Sequence, residues 1–324
     1  MNSELELFRE NVRRFVAEEV VPNYRQWEKD EIFPRQLWNT LGEQGLLSVD
    51  IPEKYGGFGT DFLFSMVIQE EFSKANCAAV GGPMAVHSDI VSHYILNHGT
   101  EEQKSRYSPK MVSGDCIGAV AMTEPGTGSD LQGLRTTAKR DGDDYILNGS
   151  KTFITNGQHC DLVIVAARTN LDVSGAKGTT LFMVDSDMQG FQRGRNLEKI
   201  GLHPSDTSEL FFEDVRVAAD AILGKLDSGF AVLMGELQRE RLALAIGAVA
   251  AAEGLLETTV KYVKERTAFG APIAELQNTK FKIAEAATEA RIHRSFVEEC
   301  KQLFMRRELD VATVSMAKMS CTEM

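Results

Sequence analysis

From Ser228 to Arg266 the sequence keeps a helical period without a single proline, and no other stretch constrains the fold so strongly. A helix of that length rises on the order of 50 Å, enough to span a domain edge to edge. Its apolar stripe runs through Phe230, Leu233, Met234, Leu237, Leu244, Ala245 and Ala248 at helical spacing. The positions that would continue the stripe between Leu237 and Leu244 are Glu240 and Arg241. An unpaired buried charge is strongly destabilising, so either the helix turns a solvated polar face here or a pocket meets it. Periodicity leaves both readings open.

Phe269-Gly270-Ala271-Pro272 ends the long helix, and a second helical pattern over residues 275–304 and a third from near Asp310 predict an antiparallel bundle. The chain stops inside that third pattern, which predicts further residues beyond Met324. Upstream, Leu5, Phe8, Val12, Phe15, Val16 and Val20 mark an amphipathic helix. Pro34 sits near the start of a second helix, and a third spans 62–79 and stops at Gly81-Gly82-Pro83. Thr100-Glu101-Glu102-Gln103 has the form of a capping box. At Asp115 the pattern changes to short apolar runs of strand length: residues 116–122, 136–140, 145–148, 162–167, 179–184 and 208–215. Asp141-Gly142-Asp143 and Asn148-Gly149 read as turns between them, and no helix of useful length intervenes, so an antiparallel β domain is expected. The predicted fold class is multidomain α+β: a helical N-terminal domain (1–114), a β-barrel-like middle domain (115–222) and a C-terminal helical bundle (223–324).

The formal net charge of −12 disfavours nucleic acid as a general partner, although it leaves room for a local basic site for a phosphorylated ligand. No run approaches the roughly 18 uninterrupted apolar residues of a membrane span, and the first residues lack the form of a signal or transit peptide. A soluble, untargeted, cytoplasmic protein without membrane partners is expected. The five cysteines are scattered, without metal-ligand spacing, and read as reduced thiols; no metal site is expected.

Three segments carry candidate chemistry. In Thr123-Glu124-Pro125-Gly126-Thr127-Gly128-Ser129-Asp130, Gly126 and Gly128 let backbone approach a ligand, and amides with Thr and Ser hydroxyls suit anionic or carbonyl oxygens. The same loop is equally a tight turn, and it lacks the spacing and following helix of a dinucleotide fingerprint. In Lys151-Thr152-Phe153-Ile154-Thr155-Asn156-Gly157 an aromatic beside hydroxyls suits a planar heterocycle; alone, the segment reads first as a plain β-hairpin. Arg266-Thr267-Ala268-Phe269-Gly270, with Gln277 beyond it, puts a cation and an aromatic at a helix end, where they could grip a diphosphate or answer the helix dipole.

Taken in order, these segments resemble the acyl-CoA dehydrogenase family over essentially the whole chain. Residues 121–133 resemble its first signature, residues 151–157 its flavin-stacking strand with Phe153 where many members carry Trp, and 266–270 with Gln277 its contact to the FAD of a neighbouring subunit. The resemblance implies FAD as cofactor, an acyl-CoA substrate, and a homotetramer built as a dimer of dimers, or a hetero-oligomer. It implies α,β-dehydrogenation to a trans-2-enoyl-CoA in fatty-acid β-oxidation, with electrons passed to an electron-transfer flavoprotein. By carry-over, Met122, Thr123, Gly128, Ser129, Phe153 and Thr155 line the flavin, as Arg266, Phe269 and Gln277 do across the subunit boundary. Ser129 also lies near the thioester, and Arg241 orients the CoA arm or buttresses the base. Glu240-Arg241 matches the placement of the catalytic Glu in the long-chain and isovaleryl branches, which makes Glu240 the base that takes the α-proton. The alternatives are a non-catalytic, partner-dependent subunit and an acyl-CoA oxidase, the latter separable by peroxide production. The family's glycine-rich second signature lies beyond the given residues, and the acyl chain length is left open.

Overall fold

The computed structural model describes residues 3–324. Helices α1 (Ser3–Phe15), α2 (Val21–Asp30), α3 (Gln36–Glu43), α4 (Phe62–Lys74), α5 (Ala78–Ala85), α6 (Ser92–His98) and α7 (Glu101–Ser113) come first in the chain. Wide π-helical turns, Val16–Val20 and Val86–Val91, join α1 to α2 and α5 to α6. At the start of α7 the capping box forms as the sequence predicts: the Thr100 side chain accepts from the Gln103 amide, and the Gln103 side chain accepts from the Thr100 amide.

Gly81-Gly82-Pro83 does not end a helix, contrary to expectation, because α5 runs through all three. Proline's φ is itself helical, so the helix gives up an amide hydrogen bond rather than its geometry. The break comes earlier, where Asn76 takes a left-handed φ of 60° after α4.

The sheet comprises β1 (Gly118–Ala121), β2 (Thr137–Asp141), β3 (Asp144–Thr155), β4 (Leu162–Arg168), β5 (Thr179–Asp185), β6 (Phe191–Asn196), β7 (Thr207–Ala218) and β8 (Ile222–Leu223), with the four-residue helix α8 (Gly175–Gly178) before β5. Strand order is β6-β7-β3-β2-β4-β5-β8, with β1 pairing β4 off this path. Most pairs are antiparallel, but β1 and β2 each run parallel to β4, so the sheet is mixed rather than wholly antiparallel. Asn148-Gly149 is not a turn: β3 continues through it with a register shift against β7. A Cβ at Gly149 would lie 2.4 Å from the Thr136 hydroxyl, so glycine serves close approach within the sheet.

The described residues pack as two compact units. One holds residues 24–61 and 82–237. In it β4 alternates cleanly: Val163, Val165 and Ala167 join Phe182, Leu210 and Val215 in one core, while Leu162, Ile164 and Ala166 join Val91, Tyr94 and Met111 in another. A strand buried on both faces reads as the continuous apolar run seen in the sequence.

The other unit holds residues up to Asn23, Phe62–Gly81 and Gln238–Met324. Its core joins Phe62 and Met66 to Leu242, Ala245, Ile246 and Val249 of α9 (Gly229–Glu265), Val297 of α10 (Gln277–Met305) and Val314 of α11 (Val311–Glu323). Between α9 and α10 lies a hairpin of β9 (Thr267–Ala268) and β10 (Ala271–Pro272).

Helix α9 has 37 residues. Leu233 packs into the core against the sheet, whereas Leu242, Ala245 and Ile246 pack into the bundle. The predicted stripe therefore holds at Leu233, Ala245 and Ala248 but is not continuous. Met234 and Leu244 are exposed, and the charge withdrawn from solvent there is Arg239, whose guanidinium sits 4.9 Å from the Phe62 ring centroid. One 18-residue window of α9 has a mean hydropathy of 1.4, long and apolar enough by composition to cross a membrane. Its apolar face is instead the core just described, and Glu253 within it pairs with Arg294 at 2.8 Å.

Candidate active site

The loop after β1 is both a tight turn and an open cradle. Glu124 and Thr127 exchange backbone hydrogen bonds of 2.9 and 3.0 Å around Pro125-Gly126, and the Thr127 hydroxyl donates to the Gly133 carbonyl at 3.1 Å. A Cβ at Gly126 or Gly128 would meet nothing within 4 Å, so the peptide planes there face open space. Gly128 and Ser129 are exposed; Met122 and Thr123 are half-buried.

Strand β3 lies alongside. The Thr152 amide donates to the Thr123 carbonyl at 3.0 Å, which ties the strand to the loop. Between Lys151 and Ile154 the register against β7 shifts, and this bulge carries Phe153. Phe153 has φ 57° and is 68% exposed. A left-handed backbone costs a side-chain-bearing residue about 1–2 kcal/mol. Leaving the phenyl in water forgoes roughly 1.5–3 kcal/mol of burial. Two unfavourable features at one residue mark a binding surface rather than a packing choice. Two residues on, half-buried Thr155 pairs with Thr207 of β7.

Beneath both segments runs a feature that the sequence reading did not assign. The Lys151 ammonium donates to Glu124 Oε1 at 2.9 Å and to the Met122 carbonyl at 3.1 Å. Glu124 also accepts from the amides of Arg135 at 2.7 Å and Thr136 at 3.0 Å. Burial alone would raise the Glu124 carboxyl, but the Lys151 ammonium and these donors hold it below the usual carboxylate range. Burial lowers the Lys151 ammonium to about 8 against the pull of Glu124. The available signal was alternation from the buried Tyr145 and Leu147, which puts Lys151 on the inward face; the same alternation would bury Phe153, and the bulge turns that residue outward instead.

An exposed aromatic, an open amide loop with Thr and Ser hydroxyls, and half-buried Met122 together fit a flavin. The structure thus ties the loop of Met122, Thr123, Gly128 and Ser129 to the strand of Phe153 and Thr155, all on the sheet-bearing unit.

Glu240 and Arg241 lie on α9 in the helical unit, both half-buried. On the same unit Arg266, Phe269 and Gln277 are exposed. Phe269 (φ 52°) and Gly270 (φ 83°) form the two-residue turn between β9 and β10, and Phe269 is 97% exposed. The Arg266 carbonyl accepts from the Ile273 amide at 2.8 Å, which fixes the base of this hairpin.

Three family models match in succession: the acyl-CoA dehydrogenase N-terminal domain over residues 2–115, its middle domain over 119–215 and its C-terminal domain over 227–324. The long-chain specific acyl-CoA dehydrogenase of Sus scrofa mitochondria is 50% identical over all of this chain and 75% of its own length. Among solved structures, an acyl-CoA dehydrogenase from Geobacillus kaustophilus superposes with a TM-score of 0.97 at 47% identity, covering 100% of this chain and 85% of that one. A glutaryl-CoA dehydrogenase from Mycobacterium smegmatis in complex with FADH2 superposes with a TM-score of 0.92 at 30% identity, covering 99% and 81%.

Proposed function

From the premise that this chain belongs to the acyl-CoA dehydrogenase family, we propose that Glu240 is the base of an FAD-dependent dehydrogenation and that its substrate is a long-chain acyl-CoA. The activity is α,β-dehydrogenation of an acyl-CoA thioester to the trans-2-enoyl-CoA. FAD, when bound, supplies the two-electron acceptor for the hydride that leaves the β-carbon.

The rest is work for the chain's own residues. Loop 122–130, with its amides and the Thr123 and Ser129 hydroxyls, and the Phe153 ring would hold the flavin. Ser129, exposed at the loop's tip, is the residue we assign to the thioester. The α-proton of a thioester is weakly acidic, so the carboxylate that takes it must be close, and its bound substrate must exclude water. Glu240 takes that proton, and Arg241 beside it holds the CoA arm or the carboxylate itself. Electrons leave to an electron-transfer flavoprotein.

The observation that carries the cofactor reading is the exposed, left-handed Phe153 beside an open loop. The acyl preference rests on the 50% identity to long-chain enzymes. A homotetramer is supported by exposed Tyr262, Phe269, Phe281 and Ile292 on the unit that bears Arg266 and Gln277. There Arg266, Phe269 and Gln277 would hold a neighbouring subunit's FAD.

Saturated acyl-CoAs of increasing chain length, added anaerobically to the yellow protein, are expected to bleach the flavin fastest in the long-chain range. Glu240→Gln is expected to slow that bleaching by roughly 10²–10⁴-fold while leaving the visible flavin spectrum in place. Bleaching at the wild-type rate would remove Glu240 as the base. Stoichiometric peroxide under air would instead make the chain an oxidase.

A further inference from the structure

Among the described residues the largest fully buried side chains are aromatic or apolar, apart from Lys151, whose side chain is 0% exposed. Glu124 beside it is 6% exposed. Neither can reach a ligand lying over the open loop, so neither belongs to the binding surface itself. Their bonds nonetheless connect its parts. Met122 and Glu124 open the loop, Arg135 and Thr136 follow its close, and Lys151 belongs to β3, two residues before Phe153.

A buried ion pair is a poor way to add stability, since desolvation consumes much of the attraction, and an apolar pair of equal volume often does better. What such a pair supplies is register. Lys151 fixes the Met122 carbonyl and the Glu124 carboxylate at once, and Glu124 has both oxygens engaged by donors from three residues. Together with the bond from the Thr152 amide to the Thr123 carbonyl, this leaves the loop one placement against the bulge that carries Phe153.

We propose that Glu124 and Lys151 are a positioning pair that sets the loop of residues 122–130 against Phe153, and thereby tunes both the affinity for FAD and the reduction potential of the bound flavin. The inference rests on the flavin reading above and goes beyond it, because the pair acts from beneath the site without touching the cofactor.

The test titrates deflavinated wild type, Lys151→Met, the neutral double variant Lys151→Met/Glu124→Gln, and a core control, Phe182→Ala. Phe182 is fully buried in the same unit and makes no part of the loop. Flavin absorption gives the FAD dissociation constant, and a reductive titration at saturating FAD gives the potential. Lys151→Met is expected to weaken FAD at least tenfold and to shift both the visible spectrum and the potential. Phe182→Ala should lower the melting temperature comparably yet leave all three readouts near wild type. The double variant strands no charge; it should recover thermal stability without recovering FAD affinity, because the Met122 carbonyl is still unanchored. That variant also decides the matter if Lys151→Met fails to fold. Equal losses of FAD affinity in Lys151→Met and Phe182→Ala, or full recovery in the double variant, would overturn the positioning role. Wild type that binds no FAD would overturn the flavin reading itself, and the pair's role with it.

Discussion

The two compact units bury charge differently. In the sheet-bearing unit Glu124 meets one ammonium and two amides, all of them fixed, and Lys151 has no route to water. In the helical unit Glu70 of α4 meets Arg9 of α1 at 2.7 Å and Arg294 and Lys301 of α10 at 2.9 and 3.2 Å. Its neighbour Glu71 meets Arg9 at 2.8 Å and Arg13 at 2.9 Å. Arg294 turns also to Glu253 and Glu298. Burial alone would raise the Glu70 carboxyl, yet Lys301, Arg9 and Arg294 hold it below the usual range. These groups line a cleft of about 920 Å³, so a charge that loses its partner there still has water and other partners within reach. One arrangement is single-copy and specifies position; the other is redundant and fastens helices together.

The largest effect should therefore come from the smaller arrangement. Lys151→Met leaves a buried carboxylate facing only amides, a change that typically costs about 3–5 kcal/mol. Urea unfolding at neutral pH should read that loss in the transition of the sheet-bearing unit. A loss under about 1 kcal/mol would mean that the Glu124 site relaxes as the helical network does, and the contrast between the units would fail.

A second buried group in the sheet-bearing unit sharpens the contrast, because it is kept neutral. His87 accepts the Gly118 amide at Nδ1 at 3.0 Å, and its Nε2 lies 3.0 Å from the Met111 carbonyl, which can only accept. The two bonds require the neutral ring with its proton on Nε2; a second proton would point at an N–H. Burial, with Arg35 nearby, lowers His87 to about 4 from an ordinary 6.5. Its folded value lies below its unfolded one, so this contribution is present above pH 6.5 and is lost as pH falls through about 4. The full shift corresponds to about 3 kcal/mol. Glutamine can offer a carbonyl to Gly118 and an amide to Met111 without titrating, so His87→Gln should flatten the loss between pH 6.5 and 4 by that amount. His159, also lowered to about 4, and Asp206, raised to about 6 by burial, act with opposite signs in this window, and they cancel in the comparison of variant with wild type. Parallel pH profiles for the two proteins would show that His87 does not control the slope.

What was legible in the sequence divides along similar physical lines. Local rules sufficed where an element answers to one environment: the Thr100–Gln103 capping box, the apolar run of β4, and the proline-free span of α9. The open loop at Gly126 and Gly128 was legible too, since paired glycines among small hydroxyl residues leave the backbone uncovered. Failures came where tertiary contact overrode local preference. Asn148-Gly149 has the composition of a turn, yet β3 continues through it with a register shift, and the glycine is there to leave Thr136 room. The α9 stripe was interrupted, with Leu233 packed in one core, Ala245 in another, and Met234 and Leu244 exposed. Polar β6, Phe-Gln-Arg-Gly-Arg-Asn, was missed because an edge strand needs little apolar sequence. Lys151 had no role legible within its strand motif, because its partner lies 27 residues away and a lysine in isolation reads as solvated.

The smallest effect tests the redundant side of the comparison. Lys301 is among the most enclosed cations of the helical network, its side chain 11% exposed, and it bonds both Glu70 and Glu298. Enclosure alone would make Lys301→Met nearly as damaging as Lys151→Met. Redundancy predicts otherwise. Glu70 keeps Arg9 and Arg294, Glu298 keeps Arg294, and the methionine stem still covers the apolar surface that the lysine stem covered. The loss should stay under about 1 kcal/mol and shrink further in added salt, as for a partly exposed pair. A salt-independent loss as large as that of Lys151→Met would show that the helical unit, too, depends on individual buried charges, and that a cleft open to water does not relieve them.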